Sequence, residues 1–212
     1  MGRWAGLCCA CVVIAHAEII DRIAISVGNQ VITESQIDEE IRVTALLNHE
    51  KLDLSLEAKR KAAARLIEQA LVRREMDLSR YPQPAPEDAD MPLQTLRAMY
   101  PSDEQYQKDL QTYGVTEDAL KRHLLWQLTL LRFVDFRFRP GILVPDADVR
   151  AYYEEQRAKW QKEGVQPIPR FDEERDQIDE ILTQQRIDQA LDRWMTEVRT
   201  QVIIDYRDEA LR

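Results

Sequence analysis

From Arg22 to Val27 the chain alternates, with Ile23, Ile25 and Val27 on one face and Ala24 and Ser26 on the other, as a strand buried on one side requires. Gln30 to Thr33 continues the period beyond Gly28-Asn29. Two residues of this type between β-prone runs predict a tight hairpin. The pattern then changes to a helical one. Thr33 followed by Gln36 has the form of a capping box, and Ile37, Ile41, Ala45, Leu46 and Leu47 supply an apolar stripe that predicts a helix ending near Asn48. A second helix is predicted from Ser55 to Arg80 on the recurrence of Ala63, Ile67, Ala70, Leu71 and Leu78.

Four prolines interrupt the run from Tyr81 to Pro92; each lacks a backbone donor and disfavours helix in the residue before it, which predicts a connector or hinge. A shorter helix is expected over Leu93–Tyr100. Ser102 with Gln105 predicts another capping box ahead of Tyr106 and Leu110, closed at Gly114. Thr116 opens the most apolar helix, with Leu120, Leu124, Leu128, Leu131 and Val134 on one stripe and Leu125, Trp126, Leu130 and Phe133 widening it. After Pro140-Gly141, Asp146 and Asp148 introduce a helix carrying Val149, Tyr153, Gln156 and Trp160, and Glu163 to Pro169 forms a linker. A long helix from Phe171 then carries Ile178, Ile181, Leu182, Ile187, Leu191, Trp194 and Val198.

The chain closes on a β-prone run, Val202 to Tyr206, that has no strand beside it in sequence. An isolated two-stranded hairpin is marginal in water, so this run is expected to add a third strand to the N-terminal hairpin. Closing so long a loop costs only about 0.6 kcal/mol per doubling of its length. Burial of Ile23, Ile25, Ile203 and Ile204 is expected to return roughly 1.5–3 kcal/mol each, as an upper bound. The predicted fold is mainly α, with about six to seven helices and one small β-sheet.

Residues 1–17 differ from everything after them: Arg3, an apolar run from Trp4 to Ile14, then Ala15-His16-Ala17. Basic start, short apolar stretch and small-x-small end are the parts of a secretory signal peptide, with cleavage expected after Ala17. The run is well short of the roughly 20 apolar residues of a spanning helix. Lipidation of Cys11, which follows Ala10 but lacks an aliphatic residue three positions before it, is the lesser alternative. All three cysteines lie in this segment, so a cleaved chain has no disulfide and no thiolate metal site. The formal charge of −9 in 212 residues argues against nucleic acid, which selects a basic stripe.

Candidate chemistry is sparse. Beyond the leader, histidine is confined to His49, expected at a solvated helix end, and His123, expected as a packing residue beside its helix's stripe. Neither sits in a nucleophile motif, and "HEKLD" lacks the second histidine of a zinc-protease helix. The glycine spacing offers no phosphate loop, so no nucleotide or other cofactor is expected. The acidic runs Asp38-Glu39-Glu40 and Asp172 to Asp176 are expected as a solvated helix face and as helix N-terminal charge, with no metal.

"IDRIAISVGNQVITESQIDEEI" with "LIEQALVRREM" after it resembles the opening of the periplasmic chaperones related to SurA. "VPDADVRAYYEEQ" and "FDEERDQIDEILTQQRIDQALDRWMTEVRTQVIID" are similar to the segments that flank that family's parvulin-type isomerase domain. The isomerase itself, expected between Tyr153 and Phe171, has no room there, since a domain needs roughly 50 residues or more. The resemblance therefore implies a SurA-type core alone: a module over residues 18–162, a linker over 163–170, and a C-terminal helix and strand over 171–212 that pack back on the module. It also implies a periplasmic holdase, without ATP, catalysis, cofactor or metal, for unfolded outer-membrane or secreted proteins, with the outer-membrane assembly machinery as a possible partner. The alternatives are an isomerase-family protein with an accessory folding role and an envelope adaptor with one fixed partner.

Unfolded clients vary in sequence, so a binding surface for them should carry exposed, adaptable apolar side chains. The candidates are Met91, Met99, Tyr100, Tyr106 and Tyr113 around the proline-rich connector, and Leu125, Trp126 and Phe133 on the apolar helix. Each has an alternative place in the core.

Overall fold

Gly28 begins the chain reversal with φ +58, a conformation that costs a residue with a Cβ about 1–2 kcal/mol. The hairpin it closes pairs β1 (Ile23–Val27) with β2 (Gln30–Thr33). The computed structural model describes residues 21–79 and 81–211; the expected signal peptide, its cleavage point and the expected helix end at Arg80 lie outside them. At the other end of the chain β3 (Ile204–Tyr206) pairs antiparallel with β1, giving the sheet order β2-β1-β3. The two ends of the described chain thus meet in one sheet, as the marginal stability of a lone hairpin requires.

The alternation expected in β1 is broken. Ile23 faces Thr33 and Ile25 faces Ile32, so Ala24 is an extra residue in the ladder. The irregularity turns Ala24 inward and leaves Ile23 45% exposed, as a bulge does to the residues around it. Ile203 is 83% exposed and Ile204 half-buried. The burial expected of Ile23 and Ile203 is instead supplied by Ala24, Val27, Ile32 and Val202, beside the fully buried Ile25.

The described residues form seven α-helices, of which α1 and α2 pack on the sheet: α1 (Glu34–Leu47), α2 (Leu56–Ser79), α3 (Asp90–Ala98), α4 (Asp103–Tyr113), α5 (Glu117–Phe138), α6 (Asp146–Glu163) and α7 (Phe171–Gln201). Both arms of the Thr33–Gln36 capping box are present at α1. At α4 the Ser102 hydroxyl accepts from the Gln105 N–H, while the Gln105 side chain turns forward to Asp109. Gly114 caps α4 at φ +63, and the Val115 N–H reaches back to Leu110 O at 2.9 Å, the Schellman closure of a helix end. α3 starts earlier than expected and contains Pro92, which its first turn tolerates because donors there have no helical partner. The connector before it is packed down rather than free: Tyr81 meets Phe133 and Phe136 edge-on, and Pro84 and Ala89 are buried.

Three clusters make up the interior of the described residues. The main core joins the inner sheet face to Ile37 and Ile41 of α1, the length of α2, Trp126 and Phe133 of α5, and Trp194 and Val198 of α7. A second cluster packs Val43 and Leu46 of α1 against Tyr106 and Leu110 of α4 and Leu120 and Leu124 of α5. A third, much smaller, holds Val149 and Tyr153 of α6 against Ile178 of α7. The expected stripe of α5 therefore divides: Leu120 and Leu124 are buried early in the helix, Phe133 takes over later, and Leu131 is left 63% exposed. Leu78, expected inside, is 67% exposed.

Candidate functional site

Trp126 of α5 lines three cavities. The first, about 200 Å³, lies between β2, α1, α2 and α5 and is bordered by Gln30, Val31, Leu66 and Arg73. The second, about 390 Å³, opens toward α7 and is walled by Leu47, Val72, Leu130, Leu191 and Met195. The third, also about 390 Å³, continues past Leu125 toward Met76 and Gln83. The three are called the cleft below: its side toward α7 is mostly apolar, and its side toward α1 carries Glu40 and His123.

The polar wall is built on Glu40, which is 7% exposed. It lies on α1 between Ile37 and Ile41 and accepts from Arg65 Nε of α2 at 2.8 Å, with His123 Nδ1 of α5 at 3.5 Å. Thr44 Oγ1 donates from one turn further along α1, and Gln127 meets the other ring nitrogen of His123 at 3.2 Å. Burial works to raise the Glu40 pKa, but the hydrogen bonds and charges of His123 and Arg65 outweigh it and hold the carboxyl below its ordinary value. Three helices are thereby joined across the cleft floor by one carboxylate. Across from it Arg73 lies over the Trp126 ring, its Cζ 4.8 Å from the centroid.

The candidate residues separate. Leu125 and Trp126 line the cleft. Met91 and Met99 are 73% and 74% exposed but belong to α3 and its C-terminal cap, a different surface. Tyr100 and Tyr113 are half-buried, the first edge-on to Tyr106 and the second donating to Glu50 O at 2.9 Å. Tyr106 is 1% exposed and packs in the second cluster; burial, then the charge of Glu117, pushes its pKa up to about 12. Phe133 is likewise 1% exposed, ringed by Tyr81, Phe138 and Trp194. Tyr106 and Phe133 are therefore core residues, because the faces of α4 and α5 that carry them turn toward neighbouring helices. Trp126 is 8% exposed and serves as both core and cleft floor.

Of the acidic run expected to be solvated, Glu39 is exposed and binds Arg122, Asp38 meets Lys59 at 3.2 Å, and Glu40 is buried. A signal for this existed. Glu40 lies three residues after Ile37 and four before Thr44, on the stripe itself. His49 does occupy a helix end, at φ 53. The Asp172–Asp176 run begins α7, where Glu173 accepts from the Arg170 N–H.

Among the described residues no helix is long and apolar enough to cross a membrane, and no three His, Cys, Asp or Glu side chains are grouped as for a metal ion. No protein-family model matches the chain, and no curated protein is significantly similar to it.

Proposed function

We propose that the protein is an exported holdase of the SurA-like kind, which binds unfolded outer-membrane or secreted polypeptides in the periplasm and keeps them from aggregating without ATP. The observation that carries this reading is the set of three open cavities that share Trp126 in their linings, the one toward α7 mostly apolar and the one beside β2 bordered by Glu40, Arg73 and Arg122. Such a surface accepts chains of differing sequence, with Leu191 and Met195 as adaptable wall. The meeting of the chain's ends in one sheet agrees with the architecture that the resemblance implies. α6 and α7 are joined by only a short linker, which fits a core without an inserted isomerase. The reading assigns the protein no catalytic step.

The test is light scattering from a chemically denatured outer-membrane protein diluted into buffer without nucleotide. A few-fold molar excess of the protein is expected to suppress aggregation. The double substitution Leu191→Gln with Met195→Gln should weaken that suppression; both side chains are half-buried against the main core, so the urea midpoint falls, and an unchanged far-ultraviolet circular dichroism spectrum shows that the variant is folded under the assay conditions. Undiminished aggregation at several-fold excess of the wild-type protein refutes the reading.

A further inference from the structure

Among the described residues β2 is an edge of the sheet, and the ladder determines which of its backbone groups already have partners. On β1 the Gly28 N–H donates to Ile203 O and Ala24 O accepts from the Arg207 N–H, each at 2.9 Å, so the even-numbered residues of β1 bond toward β3. Ile25 and Val27 therefore bond toward β2, opposite Ile32 and Gln30. Val31, opposite Ser26, turns its N–H and C=O away from the sheet. No hydrogen bond to either group is found among the described residues, and the side chain is 50% exposed. Thr33, the next outward position, already donates its N–H to Gln36 Oε1 at 2.9 Å.

This edge runs along the smallest of the three cavities, whose opposite side carries Arg73 over Trp126. The two cleft arginines differ. Arg122 is held by both carboxylate oxygens of Glu39 at 2.9 Å, whereas among the described residues no carboxylate lies within ion-pair distance of Arg73. Although Arg73 as a whole is exposed, desolvation of its guanidinium lowers its pKa, opposed by the charge of Asp77 one turn on. Cavities lie on both sides of the Arg73–Trp126 stack, so a chain that enters beside Val31 can continue past the stack.

We infer that this end of the cleft takes an extended polypeptide segment as an added strand on β2, with an internal acidic side chain of that segment on the Arg73 guanidinium. The inference rests on the proposed holdase reading and deepens it by naming the mode of binding and the chemistry selected. Val31 supplies one donor and one acceptor to the incoming backbone, and such main-chain bonds are indifferent to client sequence. Alternate side chains of an extended segment point the same way, which brings every second residue to the cleft. The planar guanidinium, held flat by the indole, presents its free edge to a carboxylate. The through-running path selects a side-chain carboxylate over a chain terminus.

The experiment is fluorescence anisotropy of a labelled ten-residue peptide of alternating Val and Ser with one central Glu, titrated with the purified protein. Its companions are the Gln form, a free-acid form and an amidated form of the C-terminus, and a form N-methylated at alternate residues. The Glu peptide is expected to bind about tenfold more tightly than the Gln peptide, which corresponds to about 1.4 kcal/mol. Arg73→Gln should remove that preference and leave the Gln peptide's affinity unchanged, and N-methylation should weaken binding by wild type and variant alike. Equal binding of Glu and Gln peptides, a preference that survives Arg73→Gln, or indifference to N-methylation overturns the inference. So does a preference for the free acid over the amide that depends on Arg73 without any Glu preference. Suppressed aggregation without peptide discrimination removes this subsite and leaves the holdase reading; discrimination without suppression does the reverse.

Discussion

α7 spans 31 residues, about 46 Å at 1.5 Å per residue, and its two halves are held in different ways. The C-terminal half inserts Trp194 and Val198 into the main core, where Phe133 lies 5.3 Å from the Trp194 ring. The N-terminal half pairs with α6 around Val149, Tyr153 and Ile178. Charge surrounds that small cluster: Arg175 with Asp146 at 2.8 Å, Arg139 with Glu180 at 3.1 Å, and Arg186 with Asp148 and Leu143 O. Buried apolar area is the dominant stabiliser in folding, while exposed ion pairs contribute about 0–1 kcal/mol each. One continuous helix thus joins a well-packed core to an arm that is set up to open first.

The largest expected effect lies on the core side. Phe133→Ala removes a ring packed against three others and should cost about 3–5 kcal/mol of global stability, read as a lower urea midpoint for the whole chain. A shift below about 1 kcal/mol would mean that the main core is looser than its burial implies. In the arm, Ile178→Ala should cost about 2 kcal/mol locally, which speeds amide exchange in α6 by roughly 30-fold. Exchange in α2 should hardly change. Equal acceleration in both would erase the distinction between the halves.

Acid sharpens the same comparison. Glu40 has a folded pKa below its ordinary 4.5, so the stability it contributes is complete above about pH 4.5 and is lost as pH falls through the folded value. Glu40→Gln should flatten that loss in the core. Asp146 is also lowered, by its hydrogen bond to Arg175 and then by that residue's charge, and it also loses its contribution as pH falls. Its pair is exposed, so 1 M salt, with a screening length of about 3 Å, should weaken the arm's response, through its charge component, more than that of Glu40. Trp160 reports on the arm and Trp126 and Trp194 on the core, so a Trp160→Phe difference titration separates them. A Glu40 response that vanishes in salt would contradict its burial.

The smallest effect concerns neither half directly. His49 holds a left-handed conformation while the Glu50 N–H closes α1 onto Ala45 O at 2.9 Å. His49→Gly should stabilise the chain by about 0.5–1 kcal/mol, the relief of strain outweighing added unfolded-state entropy and a loose edge contact with Tyr100. No gain in melting temperature would show that the Tyr100 contact matters more than the backbone.

Much of this architecture was legible because its causes are local. A glycine-asparagine reversal, hydroxyl caps at Thr33, Ser102 and Thr116, and a left-handed glycine at position 114 act within a few residues of themselves. Even the long-range pairing of β1 with β3 could be foreseen, since a marginal hairpin and an orphan β-prone tail each lacked what the other supplies. The cleft was less legible. The sequence offers Leu125 and Trp126 as surface candidates, but equally Tyr106 and Phe133, and apolar periodicity alone does not say which of two apolar faces a neighbour will cover.

The amino-acid order by itself therefore determined which segments are helices and which are strands, within a few residues at α3 and β3, and that the C-terminal strand would join the N-terminal hairpin. Tertiary packing alone decided that Ala24 replaces Ile23 inside, that Glu40 is buried beside His123 and Arg65, and that Arg73 rests on Trp126 in the cavity beside β2. Each of these depends on the angle at which separate elements meet. That angle is a property of the assembled surfaces, set by all the contacts at once, and no short stretch of sequence carries it.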